Sequence, residues 1–303
     1  MATYLGSEAD ETGLFALNKV DLFNLVCIPP DTREGDTPPV VYSAALALCA
    51  QRRAMLIIDP PAAWKSWNDD GTHAGQVRAA LGVTSERAPN AALYFPCLQQ
   101  AYGTQGGQVN TFAPSGAIAG VMARTDAARG VWKPPAGVDA SIRDAPGLSV
   151  QLTDTQCGLL NCLGVNCLRD FRGRASLVWG ARTLGGADDQ ASEYRYVPVR
   201  RTALHLEESL ARGLRWVASE PNDEQLWAQI RLSVDAFMMK LFRQGAFQGI
   251  APHQAYLVRC DRETTTRSDV ARGVVQLVVG FAPLRPAEFV IFQLELKARQ
   301  NVS

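Results

Sequence analysis

Histidine is scarce in this sequence: 303 residues carry only three, His73, His205 and His253. None sits in an HExxH pattern and none has a cysteine at ligand spacing, so a metal site has no support. A GxSxG nucleophile elbow is missing too; the nearest text, Pro114-Ser115-Gly116, lacks the preceding glycine. The glycines of Gly103-Thr-Gln-Gly-Gly fit neither GxGxxG nor GxxxxGK[ST] and read as a flexible loop rather than a phosphate cradle. Neither sign of charge is in excess, because 30 basic residues balance 30 acidic ones at a pI near 6.8. A dedicated nucleic-acid binder normally carries a basic surplus. The six tryptophans are dispersed, with no basic-aromatic interleaving for single strands. The most apolar stretch, Val40–Ala50, falls far short of the ~20 residues that span a bilayer. The opening MATYLGSEADETG has neither region of a signal peptide. Seven scattered cysteines read as reduced, buried thiols rather than a disulfide framework. The expectation is a soluble, intracellularly made protein without metal or cofactor.

The remaining candidates for chemistry have plain structural readings. Cys157, Cys162 and Cys167 recur every five residues, which on a helix turns each thiol by about 140° from the last. They cannot converge on one metal there and read as core. His73 lies beside Asp69 and Asp70 in a polar loop, and His205 flanks a leucine stripe. Arg200-Arg201 reads as surface salt bridging rather than an anion site.

What the sequence does have is apolar pattern, 47% of its residues, enough for a core in each of two domains. Asp21–Ile28, Ala54–Ile58 and Ala91–Phe95 read as strands buried on both faces. Helices are expected at about Pro39–Arg53, Thr72–Leu81 and Ser115–Arg124. Such alternation points to α/β layers with a largely parallel sheet. Thr183–Glu193 is polar, glycine-bearing and aperiodic, which reads as a linker and divides the chain into residues 1–190 and 191–303. Beyond it, Leu206, Leu210 and Leu214 mark one helix. Asn222, with Gln225 three residues on, reads as the capped start of another. Leu226, Ile230, Val234, Phe237 and Leu241 form its stripe and Gly245 its C-cap. Strands follow at Ala255–Cys260, Val274–Phe281 and Glu288–Lys297, giving an α+β second domain.

The last of these strands is the most informative feature. Val290, Phe292, Leu294 and Leu296 alternate with Ile291, Gln293, Glu295 and Lys297, one face apolar and the other increasingly polar. Pro283 and Pro286 separate it from the strand before. It reads either as a last strand within its own domain, the simpler case, or as an arm that adds to a neighbour's sheet.

Four segments then resemble the contractile tail sheath family. They are FAPSGAIAGVMARTDAARGVWKPPAG (Phe112–Gly137), LNCLGVNCLRDFRGRASLVWGARTL (Leu160–Leu184), YVPVRRTALHLEESLARGLRWVASEPNDEQLW (Tyr196–Trp227) and PAEFVIFQLELKA (Pro286–Ala298). They come in the family's order and cover most of the chain. Ala113–Gly137 is worded closer to sheaths of phage-tail-like injection systems than to many phage sheaths. The resemblance implies an α/β domain of subtilisin-like topology, mainly parallel with helices, followed by a smaller α+β C-terminal domain. It implies no catalysis and no cofactor. It implies a subunit stacking as hexameric rings in a helical sheath around an inner tube protein, with baseplate and tail terminator or cap proteins as further partners. Nucleic-acid binding and membrane insertion are not implied. Assembly in the bacterial cytoplasm and a place in a phage tail or tail-like particle follow from it. It implies that Phe289, Val290, Ile291, Phe292, Gln293, Leu294, Glu295 and Leu296 form an intersubunit arm strand. The family's N-terminal arm is expected to be missing, since this chain opens at a point resembling the inside of the α/β domain. The competing class is an α/β hydrolase-like enzyme with an active site the sequence hides.

Overall fold

The computed structural model describes residues 2–32, 35–64, 86–101, 109–145, 147–171, 175–188, 192–284 and 289–299. They form two compact units, Met1–Arg201 and Thr202–Ser303. The first is built on strands β1 (Leu25–Cys27), β2 (Met55–Ile58), β3 (Ala91–Phe95), β7 (Val165–Arg169) and β8 (Leu177–Val178), in the order β1-β2-β3-β7-β8. The first four run parallel and β8 closes antiparallel on β7. Three short strands, β4 (Leu98–Ala101), β5 (Val109–Phe112) and β6 (Gly147–Leu148), make a separate antiparallel sheet in the order β5-β4-β6.

Period-two alternation sends the side chains of the parallel strands into two cores. Leu56, Ile58, Leu93, Phe95, Val165 and Cys167 join one core with α1 (Pro39–Gln51) and α3 (Asp154–Cys162). Met55, Ile57, Ala92, Tyr94 and Leu168 join the other with α2 (Ser115–Arg129). Helices thus cover both faces, which is why β2 and β3 are apolar at every position. The expected Asp21–Ile28 strand is paired over Leu25–Cys27, and before it the Arg52 guanidinium donates to the carbonyls of Val20 and Asp21. The helix expected at Thr72–Leu81 lies outside the described residues. Within Thr183–Glu193, Leu184–Ala187 are buried and Arg182 bonds the Gly186 carbonyl and Asp188.

Helix α4 (Val197–Gly213) carries residues of both units. In the second, Leu206, Leu210 and Leu214 are buried as their spacing predicts. Helix α5 (Glu224–Arg243) ends before Gly245, whose φ of +78° marks the left-handed turn beyond the C-cap. Strands β9 (Tyr256–Arg259), β10 (Val274–Phe281) and β11 (Val290–Lys297) form one antiparallel sheet in the order β11-β10-β9.

Two details of α5 differ from the sequence reading. Its N-cap is Asp223, whose carboxylate accepts from the Leu226 amide at 2.9 Å. Asn222 is buried and spent elsewhere, donating to the Val274 carbonyl and accepting from the Trp227 indole, each at 2.9 Å. On the stripe, Met238 is fully buried and Phe237 only half-buried.

Candidate functional site

Strand β11 pairs with β10 along its whole length, from Phe281↔Val290 to Val274↔Lys297. Val290, Phe292, Leu294 and Leu296 face inward, opposite Phe281, Val279, Leu277 and Val275, all buried. Phe289, Ile291, Gln293 and Glu295 point out, with Ile291 53% exposed. The Phe289 ring covers Gly280, where an added Cβ would lie 2.5 Å from it. On the same face Gln293 donates to Gln276. β11 is the edge of its sheet, so its second row of backbone groups has no ladder partner among the described strands.

The EPND text anchors this hairpin. Asn222 holds the carbonyl of Val274, where β10 begins, and the Glu220 carbonyl accepts from Arg299 at 2.9 Å, just past β11. The motif therefore ties the helical half of the unit to both open ends of the ladder. In GVWKPPAG, Gly130 closes α2 with φ +90°, and a Cβ there would meet the Trp132 ring at 2.3 Å. Only glycine fits beneath that indole.

A polar centre sits at the carboxyl ends of β1, β2 and β3. Asp59, which follows β2, accepts from the Ser115 amide and the Ser115 hydroxyl, both at 2.8 Å. Burial pushes this carboxyl up to about 6, and the two Ser115 donors oppose the rise. The Asp59 amide donates to the Tyr42 hydroxyl at 3.4 Å, and the Cys27 thiol to the Ser115 carbonyl. These groups border a cavity of about 390 Å³ lined by Pro29, Pro60, Tyr42, Asp59, Cys97 and Phe112, among others. Ser115 is 1% exposed, and its hydroxyl serves to hold Asp59 at the start of α2. Sequence reasoning weighed Ser115 alone; its partner lies 56 residues away, beyond the reach of any local pattern.

The other candidates are dispersed. Cys157 and Cys162 lie on α3, but the chain turns before Cys167, which lies on β7, so helical spacing does not govern the third thiol. Cys157 and Cys167 are buried and adjacent, and Cys162 is exposed. His205 is exposed on α4, His253 is exposed in the short helix Pro252–Ala255, and His73 lies outside the described residues. Arg201 is 4% exposed and grips Asp126 through two nitrogens, while Arg200 bonds Asn90 and stacks 4.4 Å from the Tyr194 ring centre. Among the described residues no group of three or more His, Cys, Asp or Glu could hold a metal ion, and no helix could cross a membrane.

Known proteins resemble this architecture in both units. The sequence model of the phage tail sheath protein central domain matches residues 23–184, and that of the phage tail sheath C-terminal domain matches 189–297. A tail sheath protein of Vibrio phage KVP40 is 25% identical over 183 residues, 60% of this chain and 26% of its own length. A putative prophage major tail sheath protein of Pseudomonas aeruginosa strain UCBPP-PA14 is 26% identical over 189 residues, 61% of this chain and 46% of its own. The matches thus span between a quarter and a half of these curated relatives. Among solved structures, the anti-feeding prophage helical sheath in its contracted state aligns with TM-score 0.72 and 31% identity, over 97% of this chain and 76% of that one. The sheath complex of the extracellular contractile injection system PVC, also contracted, aligns with TM-score 0.72 and 28% identity, over 96% and 75%. With both domains matched in order, this chain belongs to the phage tail sheath protein family.

Proposed function

We propose that this chain is a structural subunit of a contractile sheath, polymerising as stacked hexameric rings around an inner tube and contracting to drive that tube through a target envelope. The observation that carries this reading is the alignment of 97% of the chain with a contracted helical sheath at 31% identity. The parallel order β1-β2-β3-β7 with helices on both faces supports the subtilisin-like topology of such subunits. Alignment with chains of the anti-feeding prophage baseplate supports a baseplate contact. The inner tube and a tail terminator complete the partners, and assembly in the bacterial cytoplasm precedes service in a phage or tail-like particle. No catalysis belongs to this role, and Ser115, occupied by Asp59, agrees with that.

β11 is the strand that joins copies. An eight-residue edge strand with one apolar face is as suited to a neighbour's sheet as to its own. Deleting it would also strip four buried side chains from this unit's core, so a reversible staple tests the point more cleanly. Gln276 and Glu295 are cross-strand partners on the outer face, and directly opposed residues on antiparallel strands lie ~4.5–5.5 Å apart at Cα, within disulfide reach. The double variant Gln276→Cys, Glu295→Cys is expected to form sheaths with its tube and baseplate when reduced, and none when oxidised. Sheaths from the oxidised protein would show that β11 stays at home. Failure of the unsubstituted protein to form any sheath would overturn the subunit reading itself.

A further inference from the structure

We propose that the cavity at the carboxyl ends of β1, β2 and β3 binds a small organic cation, an ammonium group on a compact apolar body, with the Asp59 carboxylate as its counter-ion. Such a site is independent of the sheath reading. Its floor is built from strand ends: Pro29 lies just past β1, Asp59 follows β2 and Cys97 lies just past β3. The loops beyond the carboxyl ends of parallel strands are where an α/β sheet gathers its binding groups. Tyr42, in the first turn of α1, and Thr111, on β5, add to the wall. The space of about 390 Å³ is of small-molecule size.

Two hydrogen bonds fix its shape. The Thr37 hydroxyl donates to the Ile28 carbonyl at 2.7 Å, which holds the loop after β1 against that strand's end. The Asp36 carboxylate accepts from the Ala62 amide at 2.6 Å, which ties the same loop to the turn after β2. Pro29, Pro60, Pro61 and Phe112 make much of the lining apolar, which suits a hydrocarbon body.

The charge in this lining is all of one sign. Asp31, Asp36 and Asp59 contribute to it, and no lysine, arginine or histidine does among the described residues. The neighbouring thiols of Cys27 and Cys97 are each pushed up to about 11 and the Tyr42 hydroxyl is raised further, chiefly by burial, so all three stay neutral. Asp59 is 6% exposed, yet it forms no ion pair among the described residues. Ser115 gives one hydrogen bond to each of its oxygens, and a carboxylate oxygen accepts two, so half of the acceptor capacity stays open. A buried charge calls for a countercharge, and the cavity is a side from which one can reach it.

An anion is poorly served in the same place. The N-terminus of α2 would attract one, but Asp59 already occupies it through the Ser115 amide. Helix α1 opens with Pro38 and Pro39, which have no N–H to offer. A bare metal ion lacks ligands as well, since no described group of three or more His, Cys, Asp or Glu could hold one.

Benzylamine, benzyl alcohol and benzoate share one ring and differ in charge, so isothermal titration of each into the folded full chain reads the preference directly. At neutral pH benzylamine is expected to bind about tenfold tighter than benzyl alcohol, with benzoate weakest. Asp59→Asn keeps the shape of the side chain and is expected to erase the difference between amine and alcohol. Thr111→Trp puts an indole at an exposed position of the lining and is expected to weaken both, with an unchanged circular dichroism spectrum. The native protein supplies a second measurement should Asp59→Asn fail to fold. Because the Asp59 carboxyl stands at about 6, acidification from pH 7 to pH 5 should lower the affinity for benzylamine about tenfold and leave that for benzyl alcohol unchanged. Equal affinity for amine and alcohol, a pH-independent affinity for the amine, a preference that survives in Asp59→Asn, or binding untouched by Thr111→Trp would each overturn the assignment. So would the absence of benzylamine binding at millimolar concentration.

Discussion

Asp59 shows how one side chain sets a local pH response. Its carboxyl is raised in the fold to about 6 by burial, above the ordinary 3.8, so protonation favours the folded state. The stability this group supplies is full below about pH 4 and is lost as pH rises through 6. Asp59→Asn keeps both contacts, since its amide oxygen can accept from the Ser115 amide and its NH₂ can donate to the Ser115 hydroxyl, yet it never ionises. Relative to that variant, the native protein should lose roughly 2 kcal/mol of unfolding free energy between pH 4 and pH 7. Denaturant titrations at the two pH values measure this, and parallel profiles would refute it. At this scale the sequence was legible only in part. It showed that Ser115 lacks a nucleophile elbow, but a hydroxyl bonded to a residue 56 positions away leaves no trace in local spacing.

Elements were easier to read than their contacts, and α5 shows why. From Val234 to Leu241, both Phe237 and Met238 satisfy a three-then-four or four-then-three helical step, so periodicity alone admits either as the buried position. Packing chooses Met238, which is fully buried. Met238→Ala should therefore cost about 2–5 kcal/mol, and Phe237→Ala clearly less, by chemical denaturation. Equal losses would place both side chains in the core. The cap was ambiguous for a similar reason: Asn222 and Asp223 are both good caps, and only the buried demands of Val274 and Trp227 remove Asn222 from the role. Asn222→Ala should leave that carbonyl and that indole N–H unpaired, costing about 1–3 kcal/mol for each. A melting temperature within a degree of the native value would show that water replaces the amide. The strand β10 was predicted to the residue, because its eight positions, six of them Val, Leu or Phe, lie between Gly273 on one side and Pro283 on the other.

For the whole molecule, composition and the polar stretch Thr183–Glu193 led to an expected division into residues 1–190 and 191–303, whereas the compact units are Met1–Arg201 and Thr202–Ser303, and strand order was not legible at all. β3 and β7 are neighbours, yet a second sheet and two helices intervene in the chain, and apolar runs carry no label for their partners. Balanced charge has a collective effect as well. With 30 charges of each sign, repulsion between copies is least near pH 6.8. Static light scattering at low salt should give its lowest second virial coefficient there, rising on both sides; a monotonic trend would contradict this. The β10–β11 ladder has a further consequence for growth. Its eight pairs are the same whichever chain supplies β11, so exchange between copies leaves their free energy nearly unchanged. The short connection between Phe281 and Val290 holds β11 over its own β10 at an effective concentration on the order of millimolar. Free subunits below that level stay closed. Under the proposed exchange of β11 between copies, a growing end that presents open ladders would supply the missing concentration locally, so polymerisation is expected to be templated, with a lag in its absence and none once such an end is provided.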